Sequence, residues 1–183
     1  QINRSSYTLG ANDTGIEISG NYISDIDSAE ISDYIYWIKI DSTNRTRARA
    51  SLTNTRVIKT ESNSRDNSIA FSIGNASNVF VQNDSLCGYN TGILISNTEA
   101  SPSSITVSSS TISRLLNQSG AETGIKINGV TSGTIDSLYV YNYNKALDIT
   151  GDSQLQIESN RFVNCAIVLN ESQNHAAHTL RYN

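Results

Sequence analysis

One short pattern occurs three times, as TGIEI at 14–18, TGILI at 91–95 and TGIKI at 123–127, and each copy sets two apolar side chains one residue apart directly after a Thr-Gly step. Alternation with a period of two marks a strand with one buried face. Followed along the chain, it gives inward pairs at Ile16/Ile18, Ile38/Ile40, Phe71/Ile73, Ile93/Ile95, Ile125/Ile127, Leu147/Ile149 and Ile167/Leu169, successively 22, 33, 22, 32, 22 and 20 residues apart. Between them lie Ile26 and Ile31, Leu52 and Val57, Val81 and Leu86, Val107 and Ile112, Ile135 and Val140, and Ile157 and Phe162, each pair five residues apart. A helix would need apolar positions at i, i+3, i+4 and i+7, and no segment sustains that.

Each repeat therefore predicts three short strands joined by Asn, Ser, Gly or Asp turns. A repeat this short leaves no room for a helical crossover, so equivalent strands stack in parallel as a solenoid. Just before each inward pair, Gly15, Ala70, Gly92, Gly124, Ala146 and Ala166 form a column of small residues, expected to face outward and broken only by Trp37. The two longer repeats carry insertions, DSTNRTRARAS with KTESNSRDNS and NTEASPSS with RLLNQSGAE.

The segment LQIESNRFVNCAIVLN resembles the repeat of the right-handed parallel β-helix, or pectate-lyase-like, superfamily, which includes polysaccharide lyases and hydrolases, phage tailspikes and surface proteins. The resemblance covers residues 14 to 170. It implies an all-β, right-handed parallel β-helix of about seven coils with three short strands per coil, forming a single domain over 1–183. Nothing at either terminus reads as a capping helix, so a longer parent chain or a homo-oligomer, most simply a trimer, is expected to cover the end coils.

Composition narrows the function. Of 183 residues 37% are hydrophobic, with one Pro and no Met, which suits narrow apolar stripes beside much turn surface. A net charge of -4 argues against general nucleic-acid binding. No apolar run approaches the ~18–20 residues of a membrane span. The opening QINRSSYTLG has no secretory core and no initiator Met, which points to a mature or excised portion of a longer chain. Cys87 and Cys165 fall three coils apart, too far for a disulfide, and are expected as free thiols. His175 and His178 lack partners at metal-ligand spacing, and phosphate loops and zinc knuckles are absent, so neither metal nor cofactor is expected.

Candidate chemistry follows from the columns. The residue between each inward pair gives Glu17, Lys39, Ser72, Leu94, Lys126, Asp148 and Val168, with ion pairs expected between Glu17 and Lys39 and between Lys126 and Asp148. With Trp37, the first pair forms a candidate sugar platform of one indole and two charged groups. Six of the 13 basic residues lie between Arg45 and Arg65, and Arg47 and Arg49 are placed to hold carboxylates or sulfates of an acidic glycan. Asp136 and Glu158 fall against each other on adjacent coils, the type of carboxylate pair that glycoside hydrolysis uses. The expected function is recognition, with or without cleavage, of a cell-surface or extracellular polysaccharide by a phage tailspike-like receptor-binding β-helix at the virion or cell exterior. The alternatives are a secreted bacterial polysaccharide lyase or glycoside hydrolase and a non-enzymatic adhesive or structural module.

Overall fold

The computed structural model describes residues 2–3, 14–19, 23–32, 36–41, 49–60, 67–76, 78–97, 103–115, 122–129, 131–171 and 179–181. These residues form 21 strands in three parallel sheets of seven strands each, with no helix among them. The repeat sheet stacks Thr14–Ser19, Tyr36–Asp41, Ile69–Gly74, Thr91–Ser96, Thr123–Asn128, Lys145–Thr150 and Ile167–Glu171. The central sheet stacks Ile23–Asp27, Arg49–Thr53, Asn78–Gln82, Ser103–Ser108, Thr131–Asp136, Ser153–Glu158 and Thr179–Arg181. The short-strand sheet stacks Ile2–Asn3, Glu30–Ser32, Arg56–Ile58, Ser85–Cys87, Thr111–Ser113, Tyr139–Tyr141 and Arg161–Val163. The chain visits the sheets in that order on each turn, so it is a parallel β-solenoid. Because Ile2–Asn3 precedes the first repeat strand and Thr179–Arg181 closes the last turn, the winding is six complete turns with a part-turn at either end, slightly short of seven equal coils.

The expected inward residues stack in register. Ile16, Ile38, Phe71, Ile93, Ile125 and Leu147 form one continuous line. Ile26, Leu52, Val81, Val107, Ile135 and Ile157 form a second. Together with Ile31, Val57, Leu86, Ile112 and Val140, most of these side chains are wholly buried, so the core is a narrow column running the length of the winding. The final coil departs from expectation. Leu169, not Ile167, pairs with Leu147, and Asn170, not Val168, continues the column of Asp148. Ile167 and Val168 are left exposed, because the strand is shifted two residues from the position that a 20-residue repeat implied.

The corner between central and short strands is made by a single left-handed residue in every coil: Ser28, Asn54, Asn83, Ser109, Ser137 and Ser159, with φ between 50° and 58°. Asn and Ser tolerate this conformation better than branched or bulky residues, which explains why only Ser and Asn occupy this corner. The N–H of each corner residue donates to a carbonyl of the next coil, from Ser28 to Thr53 at 3.0 Å through to Ser159 to Arg181 at 3.0 Å.

At Ala70, Gly92, Gly124 and Ala146 the small-residue column faces inward, contrary to expectation, whereas Ala166 in the shifted last coil is exposed. A Cβ on Gly92 would lie 2.3 Å from Ile112 Cγ2 and one on Gly124 2.7 Å from Val140 Cγ1, while Ala70 and Ala146 are fully buried. At Gly92 and Gly124 the repeat strand starts hard against the short-strand sheet, where even a Cβ would collide.

Candidate functional site

The outward positions of the central sheet form three columns, fixed by strand alternation and by the register. One column runs Arg49, Asn78, Ser104, Ser132 and Gln154. The middle one runs Asp25, Ser51, Phe80, Thr106, Thr134, Gln156 and Thr179, and the third Asp27, Thr53, Gln82, Ser108, Asp136, Glu158 and Arg181. Phe80 is 38% exposed although it stands between the wholly buried Val79 and Val81. The Arg49 guanidinium carbon lies 5.0 Å from the centre of its ring, and Arg49 Nε is 3.6 Å from Asp25 Oδ1. Beyond Phe80 the face presents hydroxyls and amides as far as Thr134, and then also the charged Asp136, Glu158 and Arg181. Among the described residues no hydrogen bond or ion pair takes up the side chains of Gln82, Thr106, Thr134 or Gln156. An apolar ring with uncommitted neutral donors and acceptors around it can stack on one face of a sugar and pair with its hydroxyls.

Asp136 and Glu158 are direct register partners at the edge of this face. Both are half-buried, and Ser137 Oγ donates to Asp136 Oδ2 at 3.1 Å. Adjacent strand positions lie ~4.8 Å apart, so the two side chains leave the sheet side by side, the arrangement from which an acid and a nucleophile could be drawn. Asp27, in the same column, has its pKa held below the usual carboxylate range by hydrogen bonds from Asn54 (2.8 Å) and Thr53 (3.0 Å).

The expected platform divides. Glu17 and Lys39 are paired on the outer face of the repeat sheet at 3.0 Å, whereas Arg49, Asp136 and Glu158 belong to the central sheet. The backbone of Trp37 lies on the repeat strand Tyr36–Asp41, in the column that proves to be buried at Ala70, Gly92, Gly124 and Ala146. At those four positions the column does not face outward as expected; the Trp37 side chain and Arg47 lie outside the described residues. Lys126 is the register partner of Asp148, but the ion pair is made by Lys145 Nζ at 3.0 Å, with Asn170 Nδ2 2.5 Å from the other oxygen. Burial works to raise the Asp148 pKa. Hydrogen bonds from Asn170 and Lys145, and the charges of Lys145 and Lys126, outweigh it and hold the group low.

The tyrosines also separate. Tyr89 and Tyr143 are buried inside the corner that precedes the repeat strand, with Tyr143 Oη donating to the Ser113 carbonyl at 3.2 Å and burial pushing its pKa up. Tyr139 and Tyr141 lie on the short-strand sheet with ring centres 4.9 Å apart, and Arg161 stands 5.3 Å over the Tyr139 ring. Cys87 and Cys165 are free thiols, and burial raises the Cys165 pKa. Two features were missed from sequence. Phe80 could have been found from strand parity, since NVFVQ puts a large apolar residue at the outward position. The buried pair of Arg114 with Glu122, which ties together the two ends of an insertion, carried no such signal.

The fold thus defines the class, a three-sheet parallel β-solenoid whose central sheet carries an uncharged polar stretch between charged ends. No known family, curated protein or solved structure matches the chain.

Proposed function

We propose that the protein recognises a polysaccharide through the outer face of its central sheet. The observation that carries this reading is Phe80, exposed on the same face as Gln82, Thr106, Thr134 and Gln156, whose side chains no hydrogen bond or ion pair takes up among the described residues. Coils spaced ~4.8 Å apart offer a chain of sugars one rung after another along the solenoid axis. The setting we propose is the one that the parallel β-helix resemblance suggests, a tailspike-like receptor-binding or surface protein working outside the cell or on a virion, with further copies covering the end coils.

A second reading, cleavage of the bound glycan, is favoured by the aligned carboxylates of Asp136 and Glu158. One test serves both. A panel of neutral and acidic polysaccharides is titrated calorimetrically against the wild type and Phe80→Ala. Loss of the ring is expected to weaken binding by about 1–3 kcal/mol, roughly five- to a hundredfold, with the melting temperature nearly unchanged. A wild type that binds no member of the panel defeats the recognition reading. Reducing-end release from a bound glycan, abolished in the Asp136→Asn, Glu158→Gln double variant while binding persists, establishes cleavage; binding without release confines the protein to recognition.

A further inference from the structure

The inner side of the corner between central and short strands carries one residue per coil, in the order Ala29, Thr55, Asp84, Ser110, Leu138 and Asn160. Thr55, Asp84, Ser110 and Asn160 are all buried, none more than 4% exposed. Each accepts an N–H from the preceding coil. Thr55 Oγ1 accepts from Ala29 at 3.4 Å, Asp84 Oδ1 from Thr55 at 2.7 Å, Ser110 Oγ from Asp84 at 3.1 Å, and Asn160 Oδ1 from Leu138 at 3.0 Å. Three of the four also donate. Thr55 Oγ1 donates to the Thr53 carbonyl at 3.0 Å, Ser110 Oγ to that of Ser108 at 2.8 Å, and Asn160 Nδ2 to that of Ile135 at 3.0 Å. An ionised carboxylate cannot donate. Asp84 Oδ2 is buried with no hydrogen-bond partner among the described residues.

We propose that Asp84 is held in the folded protein as a neutral carboxylic acid, its Oδ2–H donating to a backbone carbonyl as its neighbours in the column do, and that this proton latches the corner of the solenoid. The carbonyl two residues back belongs to Gln82. It accepts one N–H, from Asn54 at 3.0 Å, as the Thr53 carbonyl accepts from Ser28 and the Ser108 carbonyl from Asn83. In those two neighbours the column's hydroxyl donates to the same oxygen as well. Thr55 and Ser110, which face Asp84 from the coils on either side, are uncharged, and the charge that acts on it is the like charge of Asp27. Burial pushes the Asp84 pKa up from 3.8 to about 7; backbone hydrogen bonds with Thr55 and Gln82 oppose the rise, and the like charge of Asp27 adds to it.

The unfolded chain thus releases this proton near pH 4 and the folded chain near pH 7. Between the two values the folded state binds more protons, so stability falls as pH rises; below pH 4 both states are neutral and above pH 7 both are ionised. A displacement of about three pH units corresponds to at most about a thousandfold in the folding constant, of which roughly a hundredfold falls between pH 5 and pH 8.5. The test pairs 13C NMR titration of the Asp84 carboxyl carbon with urea unfolding of wild type and Asp84→Asn at those two pH values. Asn160 shows that the column accepts an amide, so the variant is expected to fold and to lose that hundredfold decline. The wild-type carbon is expected to titrate near pH 7. A carbon that titrates near pH 4, or a variant that keeps the full decline, overturns the proposal. If the variant does not fold, the wild-type titration alone decides.

Discussion

The repeat sheet and the central sheet share one core, yet their outer faces are opposites. On the repeat sheet most of the charged and amide side chains pair with one another: Glu17 with Lys39, Lys145 with Asp148 and Asn170, and Thr150 with Asn128 and then Ser96 at 2.8 and 3.4 Å. On the central sheet the positions from Asn78 through Thr134 carry no charge, include an exposed Phe80 with Arg49 over its ring, and leave the side chains of Gln82, Thr106 and Thr134 without a partner among the described residues. Winding fixes the inside of a solenoid far more tightly than the outside. A face that pairs with itself is fully explained by stability, and a face that does not is the one available to a ligand. The comparison therefore moves the candidate site from the charged column of Glu17 and Lys39 to the neutral one beside it.

The largest expected effect contrasts the two sides of a single repeat strand. Ile125 is wholly buried between Ile93 and Leu147 in the stacked line, and its neighbour Lys126 faces out. Ile125→Asp would bury a carboxylate with nothing to pair it and is expected to abolish folding, whereas Lys126→Ser, which repeats Ser72 of the same column, should stay within about 0.5 kcal/mol of wild type. Soluble yield and thermal unfolding by circular dichroism check this. Equal melting points for the two variants would remove the distinction between inside and outside on which the choice of face rests.

How much of this was legible in the sequence depends on what the local signal could carry. Period-two alternation and the fixed spacing of Ile26 to Ile31 and its counterparts gave the strands, the parallel stacking and the register up to Ile149, because a one-residue slip would turn every Ile outward. Asp136 against Glu158 and Glu17 against Lys39 followed from that register. The small-residue column was misread because alternation alone predicts outward residues next to Ile16 and Ile93, whereas at the corner the chain brings Gly92 and Gly124 against Ile112 and Val140 from inside. The last coil was misread for want of a following repeat to check Ile167 against. Phe80 was legible and overlooked. Arg114 and Glu122 stand at the two ends of an insertion, and no spacing rule reports that their side chains meet.

That corner supplies the second prediction, which asks whether charges on this solenoid matter by position or by type. Arg114 and Glu122 are nearly sealed from solvent, with side chains 2% and 8% exposed, and Arg114 also donates to Asn90 Oδ1 at 3.1 Å. Arg114→Ala would strand the Glu122 carboxylate and is expected to cost about 3–5 kcal/mol, read as a fall in the urea midpoint with an unchanged slope. A double variant with Glu122→Gln should recover part of that loss, since the group left behind would be neutral. No recovery would mean that Arg114 acts through packing of its stem and not through charge.

The smallest expected effect completes the contrast. Lys39 and Glu17 form an equally direct pair at 3.0 Å, but their side chains are 40% and 52% exposed. Water screens the attraction, and ordering two long side chains offsets most of what remains, so Lys39→Ala is expected to cost under about 1 kcal/mol and less still at high salt. The same variant also bears on the choice of face. Because the pair belongs to the self-satisfied sheet, Lys39→Ala should leave polysaccharide affinity unchanged in the titration that Phe80→Ala impairs. If Lys39→Ala weakened binding as much as loss of Phe80 while the melting point held, the glycan would lie across the charged column, and the neutral face would be the bystander.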